Sequence, residues 1–194
     1  MNRFDKEAIS WDDLPRRVEL AKAVVKNIIP NLKGDEKILD FGCGSGLVGL
    51  NLAPFAKEVI GVDTSAKMVE KFNEKAKKLN LNAKAYKKDI FEINDQFDVV
   101  VSSMTLHHIK DIKALSKKLA TITNKAFLVD LEKEDGSFHT RGNDDVYHFG
   151  FSKEELEEYF SEWKIEYKTI HKVKKHKNFP IFLINLSRRE NEKE

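Results

Sequence analysis

An α/β protein built on a doubly wound, mostly parallel sheet is the fold class the sequence predicts, and two observations predict it. From residue 37 onward, short apolar runs alternate with segments of helical periodicity, the order that layers helices on both faces of a parallel sheet. The run Lys37-Ile38-Leu39-Asp40-Phe41-Gly42-Cys43-Gly44-Ser45-Gly46 then breaks from an apolar strand straight into three alternating glycines. Glycine admits positive φ and removes the Cβ, so a ligand can lie almost against the main chain there.

The elements follow in order. Pro15 opens a helix at its first turn, in which Val18, Ala21, Val25, Ile28 and Ile29 keep helical spacing and Pro30 with Gly34 ends the segment. After the first strand and its glycines, Leu47 to Leu52 reads as the opening of a helix, whose N-terminus offers free N–H groups. Glu58-Val59-Ile60-Gly61-Val62-Asp63 is a buried-strand pattern, with Thr64-Ser65 starting a helix over 65–79 that buries Met68, Val69, Phe72 and Ala76. A third strand begins at Ala83 and runs into Asp89-Ile90, and a fourth begins at Phe97 and leads to Ser103. Ile112, Leu115 and Leu119 mark the next helix, and a fifth strand reaches Val129. Ser152-Lys153-Glu154-Glu155 is a capping box for a helix through Trp163. Two strands over 164–173 and 179–187, joined by Lys174 to Asn178, read as a hairpin that adds an antiparallel strand and brings the sheet to seven strands.

Composition narrows the function classes. The chain has 194 residues, enough for one domain with a sizeable core. Its 34 Lys and Arg against 32 Asp and Glu leave a net charge of +2, which provides no broad field for nucleic acid, so no nucleic-acid partner is expected. The single cysteine, Cys43, excludes an intrachain disulfide framework and reads as a small packed residue of the glycine loop. No stretch has the length and apolarity of a membrane span, and residues 1–30 lack a signal peptide's apolar segment, so a cytoplasmic location is expected. Oligomeric state is not legible.

Three acids at strand ends point to a ligand. Asp40, directly before the glycines, would repel a pyrophosphate and attract an ammonium, which favours S-adenosylmethionine over a dinucleotide such as NAD. The latter remains the alternative because Gly44-x-Gly46-x-x-Gly49 also fits the dinucleotide pattern. Asp63 can accept from both ribose hydroxyls, in bonds worth about 1.5–3 kcal/mol each. Asp89 can accept from an adenine amino group while Ile90 packs on the ring.

These motifs resemble those of the class I S-adenosylmethionine-dependent methyltransferases, in particular the small-molecule branch that includes the ubiquinone and menaquinone biosynthesis enzymes. Asp40-Phe41-Gly42-Cys43-Gly44-Ser45-Gly46 matches the acid-x-G-x-G-x-G loop of that family, Asp63 its ribose acid and Asp89-Ile90 its adenine pair. Phe97 to His108 is similar to its fourth strand and following loop. The resemblance implies a single-domain Rossmann-like methyltransferase fold over 36–188, preceded by a helical lid over 1–35 and followed by a flexible tail over 189–194. It implies a cofactor site of Asp40, Gly42, Cys43, Gly44, Gly46, Asp63, Thr64, Met68, Asp89, Ile90 and Ser103, and methyl transfer to a small-molecule acceptor; a non-catalytic cofactor-binding protein would share these residues. Where the family often has Pro-Gly-Gly before strand five, this chain reads Thr121-Ile122-Thr123-Asn124-Lys125, and Asn124 is expected to make the turn with a left-handed φ.

The acceptor side is less determined. The loop Ser103 to His108 lacks the Asn/Asp-Pro-Pro-Tyr type of motif, which counts against exocyclic and amide nitrogens. One of His107 and His108 is read as packing or capping near Asp111, the other as facing the cofactor's neighbourhood. The long polar segment after strand five carries His139 and His148, the expected general bases, because imidazole titrates near neutrality. Their spacing is not diagnostic of a metal site and none is assigned.

Overall fold

The computed structural model describes residues 2–189; the tail assigned to 189–194 therefore falls, apart from Arg189, outside the described residues. Seven strands form one sheet in the order β3-β2-β1-β4-β5-β7-β6. They are β1 (Lys37–Phe41), β2 (Glu58–Asp63), β3 (Ala83–Lys87), β4 (Val99–Ser103), β5 (Lys125–Leu131), β6 (Trp163–Lys174) and β7 (Asn178–Arg188). The first five pair in parallel, and β7 is antiparallel to both β5 and β6, as the hairpin pattern predicts. The order reverses beside β1, at β1/β4, which is where an open sheet of this kind leaves a crevice at the strands' carboxyl ends.

Alternation in β1 divides the core. Ile38 packs with α2 (Pro15–Ile28) and α4 (Ala66–Lys78) on one face, and Leu39 packs with α5 (Ile112–Ile122) and α6 (Lys153–Tyr159) on the other. Ser65 caps α4 by accepting from the Met68 N–H at 3.2 Å. The capping box of α6 is present in both directions, Glu155 N–H to Ser152 at 3.1 Å and Ser152 N–H to Glu155 at 2.8 Å. The edge strand β3 is held by Asn73 of α4, whose amide exchanges two hydrogen bonds with the Ala85 backbone at 2.8 and 3.0 Å.

Three local expectations are revised. The helix after the glycines, α3 (Gly49–Leu52), is a single turn continued by a 3₁₀ turn, because Pro54 has no N–H to extend the ladder. Helix α6 stops at Tyr159, and Trp163 instead starts β6, where its ring is buried and its Nε1–H donates to Ser116 at 3.2 Å. Asn124 has no positive φ; the turn into β5 is closed by the Thr123 hydroxyl, which accepts from the Lys125 N–H at 3.2 Å. Among the described residues no helix is long and apolar enough to cross a membrane.

The segment ahead of β1 consists of α1 (Arg3–Glu7), a 3₁₀ turn over Ala8–Asp13 and α2. It lies across the carboxyl ends of β1 and β2, fastened at two acids. Asp5 accepts from the Ser65 hydroxyl at 2.6 Å and the Lys67 N–H at 3.2 Å. Asp12 accepts from the Ser45 hydroxyl at 2.5 Å and from Lys75 at 2.9 Å.

Candidate functional site

Beneath this segment lies a cavity of about 560 Å³, within the range of small-ligand sites. One end is built by the glycine loop and the tips of β1, β2 and β3. Gly44 has φ +53°, and no atom lies within 3.8 Å of where a Cβ would stand, so the loop presents bare backbone to the cavity. Gly46 serves differently: it does not line the cavity, and its missing Cβ makes room for Leu50 at 2.6 Å and Phe72 at 2.9 Å. Cys43 is buried, and burial pushes its thiol well above the ordinary value, which fits a packed residue and not a nucleophile.

Asp40 is only 2% exposed, and its Oδ2 has no hydrogen-bond partner. Burial, with the nearby Asp63 carboxylate adding to it and the Gly49 N–H opposing, pushes Asp40 up to about 8. An acid kept neutral with one oxygen unpaired beside the glycine loop suits a cationic group brought by a ligand. At the tip of β2, Asp63 accepts from the Gly44 N–H at 2.8 Å and the Ser65 N–H at 2.9 Å, and burial pushes its carboxyl up despite these bonds. Thr64, Met68, Asp89, Ile90 and Ser103 line the same cavity. Asp89 also caps a 3₁₀ turn, accepting from the Phe91 N–H at 2.9 Å through Oδ1. Of the eleven residues expected around a cofactor, ten therefore meet at one cavity, and Gly46 supports them from below.

The other end is built by the N-terminal segment, the loops after β4 and β5, and the start of the β6–β7 turn. Trp11 stacks against the Arg17 guanidinium, 3.5 Å from the ring centroid, and Arg17 also lies 3.7 Å from Glu7. Arg16 lines the cavity and makes no ion pair among the described residues. Met104, just past β4, holds φ +59°, a conformation rarely adopted outside glycine and one that no sequence signal marked.

The structure separates the two expected bases. His139 lines the cavity, whereas His148 lies outside it, with Nε2 bonded to the Ile109 carbonyl at 2.9 Å and its ring against Phe151. His148 folds inward because Phe151 is anchored in the core by a bridge to Glu132. In its place the cavity receives His107 and His108 from the 3₁₀ turn after β4. Neither bonds Asp111, which caps α5 itself through the Ala114 N–H at 2.9 Å. His107 Nδ1 sits 2.7 and 2.9 Å from the two oxygens of Asp130, a fully buried acid of β5 that also accepts from the His107 and Leu131 N–H groups. Burial opposes the charge on Asp130, but His107 and these N–H groups outweigh it and hold the carboxyl below its ordinary value. His108 Nδ1 lies 2.8 Å from the Asp145 carbonyl, and burial lowers its basicity. Burial, then the two neighbouring imidazoles, hold His139 down at about 4.

A family profile described as "Methyltransferase domain" matches residues 38–126. Among curated proteins, an uncharacterized methyltransferase of Schizosaccharomyces pombe is 33% identical over 145 residues, covering 64% of this chain and 51% of that protein. A ubiquinone biosynthesis O-methyltransferase of Pelagibacter ubique is 30% identical over 102 residues, covering 50% of this chain and 42% of its own. The chain thus spans about half the length of these relatives. Among solved structures, magnesium protoporphyrin IX methyltransferase from Synechocystis PCC 6803 with bound SAH superposes with a TM-score of 0.71 at 16% identity, covering 89% of this chain and 84% of that one.

Proposed function

We propose that this chain carries a class I S-adenosylmethionine-dependent methyltransferase domain and that it transfers a methyl group from S-adenosylmethionine to a small-molecule acceptor. The observation that carries the reading is the meeting in one cavity of Asp40 at the start of the glycine loop, the bare Gly44 backbone and Asp63 at the tip of β2. Two acids flanking the glycine loop disfavour a pyrophosphate laid along it and favour a ligand that brings an ammonium to Asp40 and ribose hydroxyls to Asp63.

Bound S-adenosylmethionine supplies a methyl activated by its sulfonium. The chain's own residues position and enclose it. Asp40 holds the amino-acid end, with Arg16 or Arg17 facing the cofactor carboxylate; Asp63 accepts from the ribose hydroxyls; Asp89 through its remaining oxygen and Ile90 hold the adenine. Residues 1–35 serve as the lid over the 36–188 domain: Phe4 and Trp11 close the cavity and exclude water, leaving the methyl's path toward the loops after β4 and β5. His139, unprotonated at neutral pH, receives the acceptor's proton where there is one, in company with His107 and His108. The named activity of the ubiquinone biosynthesis relative supports a small-molecule acceptor, as does the cover that the N-terminal segment puts over the cavity.

Equilibrium binding tests the cofactor assignment directly. Calorimetry should show S-adenosylmethionine and S-adenosylhomocysteine bound at one equivalent and NAD not bound. NAD binding in preference to S-adenosylmethionine would overturn the reading.

A further inference from the structure

Three imidazoles converge at the acceptor end of the cavity, one ring nitrogen of each lying within 4.8 Å of those of the other two. Their hydrogen bonds fix which nitrogens are free. Nδ1 of His107 faces a carboxylate and Nδ1 of His108 faces a carbonyl, both acceptors only, so each carries its proton on Nδ1 and leaves an Nε2 lone pair. His139 Nδ1 is buried with no partner. Among the described residues no hydrogen bond joins any two of the three rings, so none of the three is already held by another. The ring centroids of His107 stand 4.1 Å from His108 and 4.9 Å from His139.

We propose that His107, His108 and His139 form a three-imidazole site for a divalent transition metal of the zinc type, with its remaining position open to the cavity. The donor set selects the ion: neutral nitrogens suit zinc, copper, iron or nickel, whereas magnesium and calcium require oxygens. Three protein ligands with one position left open is the pattern of a reactive metal, not a structural one. At zinc–nitrogen distances of 2.0–2.1 Å, tetrahedral ligand atoms stand about 3.3 Å apart; the side chains need close by no more than about an ångström and a half from the 4.8 Å limit.

The surroundings match such a centre. Asp130, at 0% exposure, holds the outer nitrogen of His107, and the Asp145 carbonyl holds that of His108. Outer acceptors of this kind fix the tautomer and raise the basicity of the ligating nitrogen. Phe4 of the lid covers the cluster edge-on, with its centroid 5.5 Å from His108. The assignment rests on the imidazoles alone. With the ion bound the three lone pairs are committed to it, so in the loaded protein the ion, and not His139, would meet the oxygen, nitrogen or sulfur of an acceptor and ease its deprotonation; that role rests on the proposed methyl transfer.

Metal uptake by the untagged full chain, stripped with chelator and dialysed against micromolar Zn²⁺, is the test, with Co²⁺ as a spectroscopic substitute. Wild type should hold one equivalent, and Co²⁺ should give visible ligand-field bands. His108→Ala and His139→Ala should each weaken Zn²⁺ by 100-fold or more, and Asp130→Asn by about 10–100-fold. His148→Ala and His176→Ala should bind as wild type. Circular dichroism and S-adenosylhomocysteine affinity report that each variant is folded; where an alanine variant does not fold, the glutamine at the same position replaces it. Wild type without Zn²⁺ at micromolar concentration, or uptake unchanged in folded His108 and His139 variants, would overturn the site. Loss of S-adenosylhomocysteine binding by wild type would instead strike the methyltransferase reading and leave the metal result standing.

Discussion

The neutral Asp40 makes cofactor binding a proton-transfer event whose sign can be calculated. Its carboxyl, held at about 8, is about nine-tenths protonated at pH 7 in the free protein. The α-amino group of S-adenosylmethionine, with a value near 7.8, is mostly ammonium at that pH. Their complex keeps one proton between them, so binding at pH 7 should release about 0.8 of a proton. At pH 9 the free carboxyl is mostly ionised and the free amine mostly neutral, and binding should take up about 0.8 of a proton, with the sign changing near pH 8. Calorimetry in buffers of different ionisation enthalpy reads this number directly. Affinity should rise about tenfold per unit between pH 5 and 7. In Asp40→Asn the release should vanish and affinity should fall sharply. In the ligand-free protein the same raised value costs stability as pH climbs from about 4, the unfolded value, to about 8, and the Asn variant should lose that dependence. Binding enthalpies independent of buffer at pH 7 would refute the neutral, unpartnered Asp40 and the ammonium contact built on it.

Three further outcomes follow from the geometry. Asp63→Ala should cost two N–H bonds and the ribose contact, lowering S-adenosylmethionine affinity by about 10-fold or more while far-ultraviolet dichroism stays native; native affinity in a folded variant would take Asp63 out of the site. Amide hydrogen exchange over residues 4–17 should slow when S-adenosylhomocysteine binds and should quicken in Asp12→Ala, which loses the Ser45 and Lys75 ties; exchange indifferent to both would reduce the lid to a packing helix. Once an acceptor is found, His139→Ala should slow single-turnover transfer by about 100-fold or more, and His148→Ala should stay near wild type because its ring is bonded to Ile109 away from the cavity; the reverse result would restore His148 as the base.

Most of the glycine-loop end of the cavity could be read from the chain because it is local. Asp40 and the glycines are neighbours in sequence, Asp63 closes the next strand, and the capping box of α6 spans four residues, so spacing alone carries the geometry. The histidine-lined end is not local. His107 meets Asp130 across 23 residues and His108 meets Asp145 across 37, and both partnerships depend on how two loops fold over the sheet. Asp130 left one trace, a lone acid inside the apolar run Ala126-Phe127-Leu128-Val129-Asp130-Leu131, which a buried strand tolerates only with partners for its charge. His148 misled because loop polarity says nothing about which side chain turns inward; Phe151 decides that by entering the core. The Asn124 turn misled because residue type allowed a left-handed φ that the Thr123 hydroxyl made unnecessary.

Ser65 joins three parts of the molecule. Its N–H reaches Asp63, its hydroxyl oxygen receives the Met68 N–H, and its hydroxyl proton goes to Asp5 of the N-terminal segment. Peeling that segment back strips one partner from the hydroxyl that caps α4. On the proposed reading this wiring has an order built into it: a donor seated first would steady the cap against which the N-terminal segment closes, and the spent donor would leave after that segment opens. S-adenosylhomocysteine would then inhibit competitively against the donor but not against the acceptor.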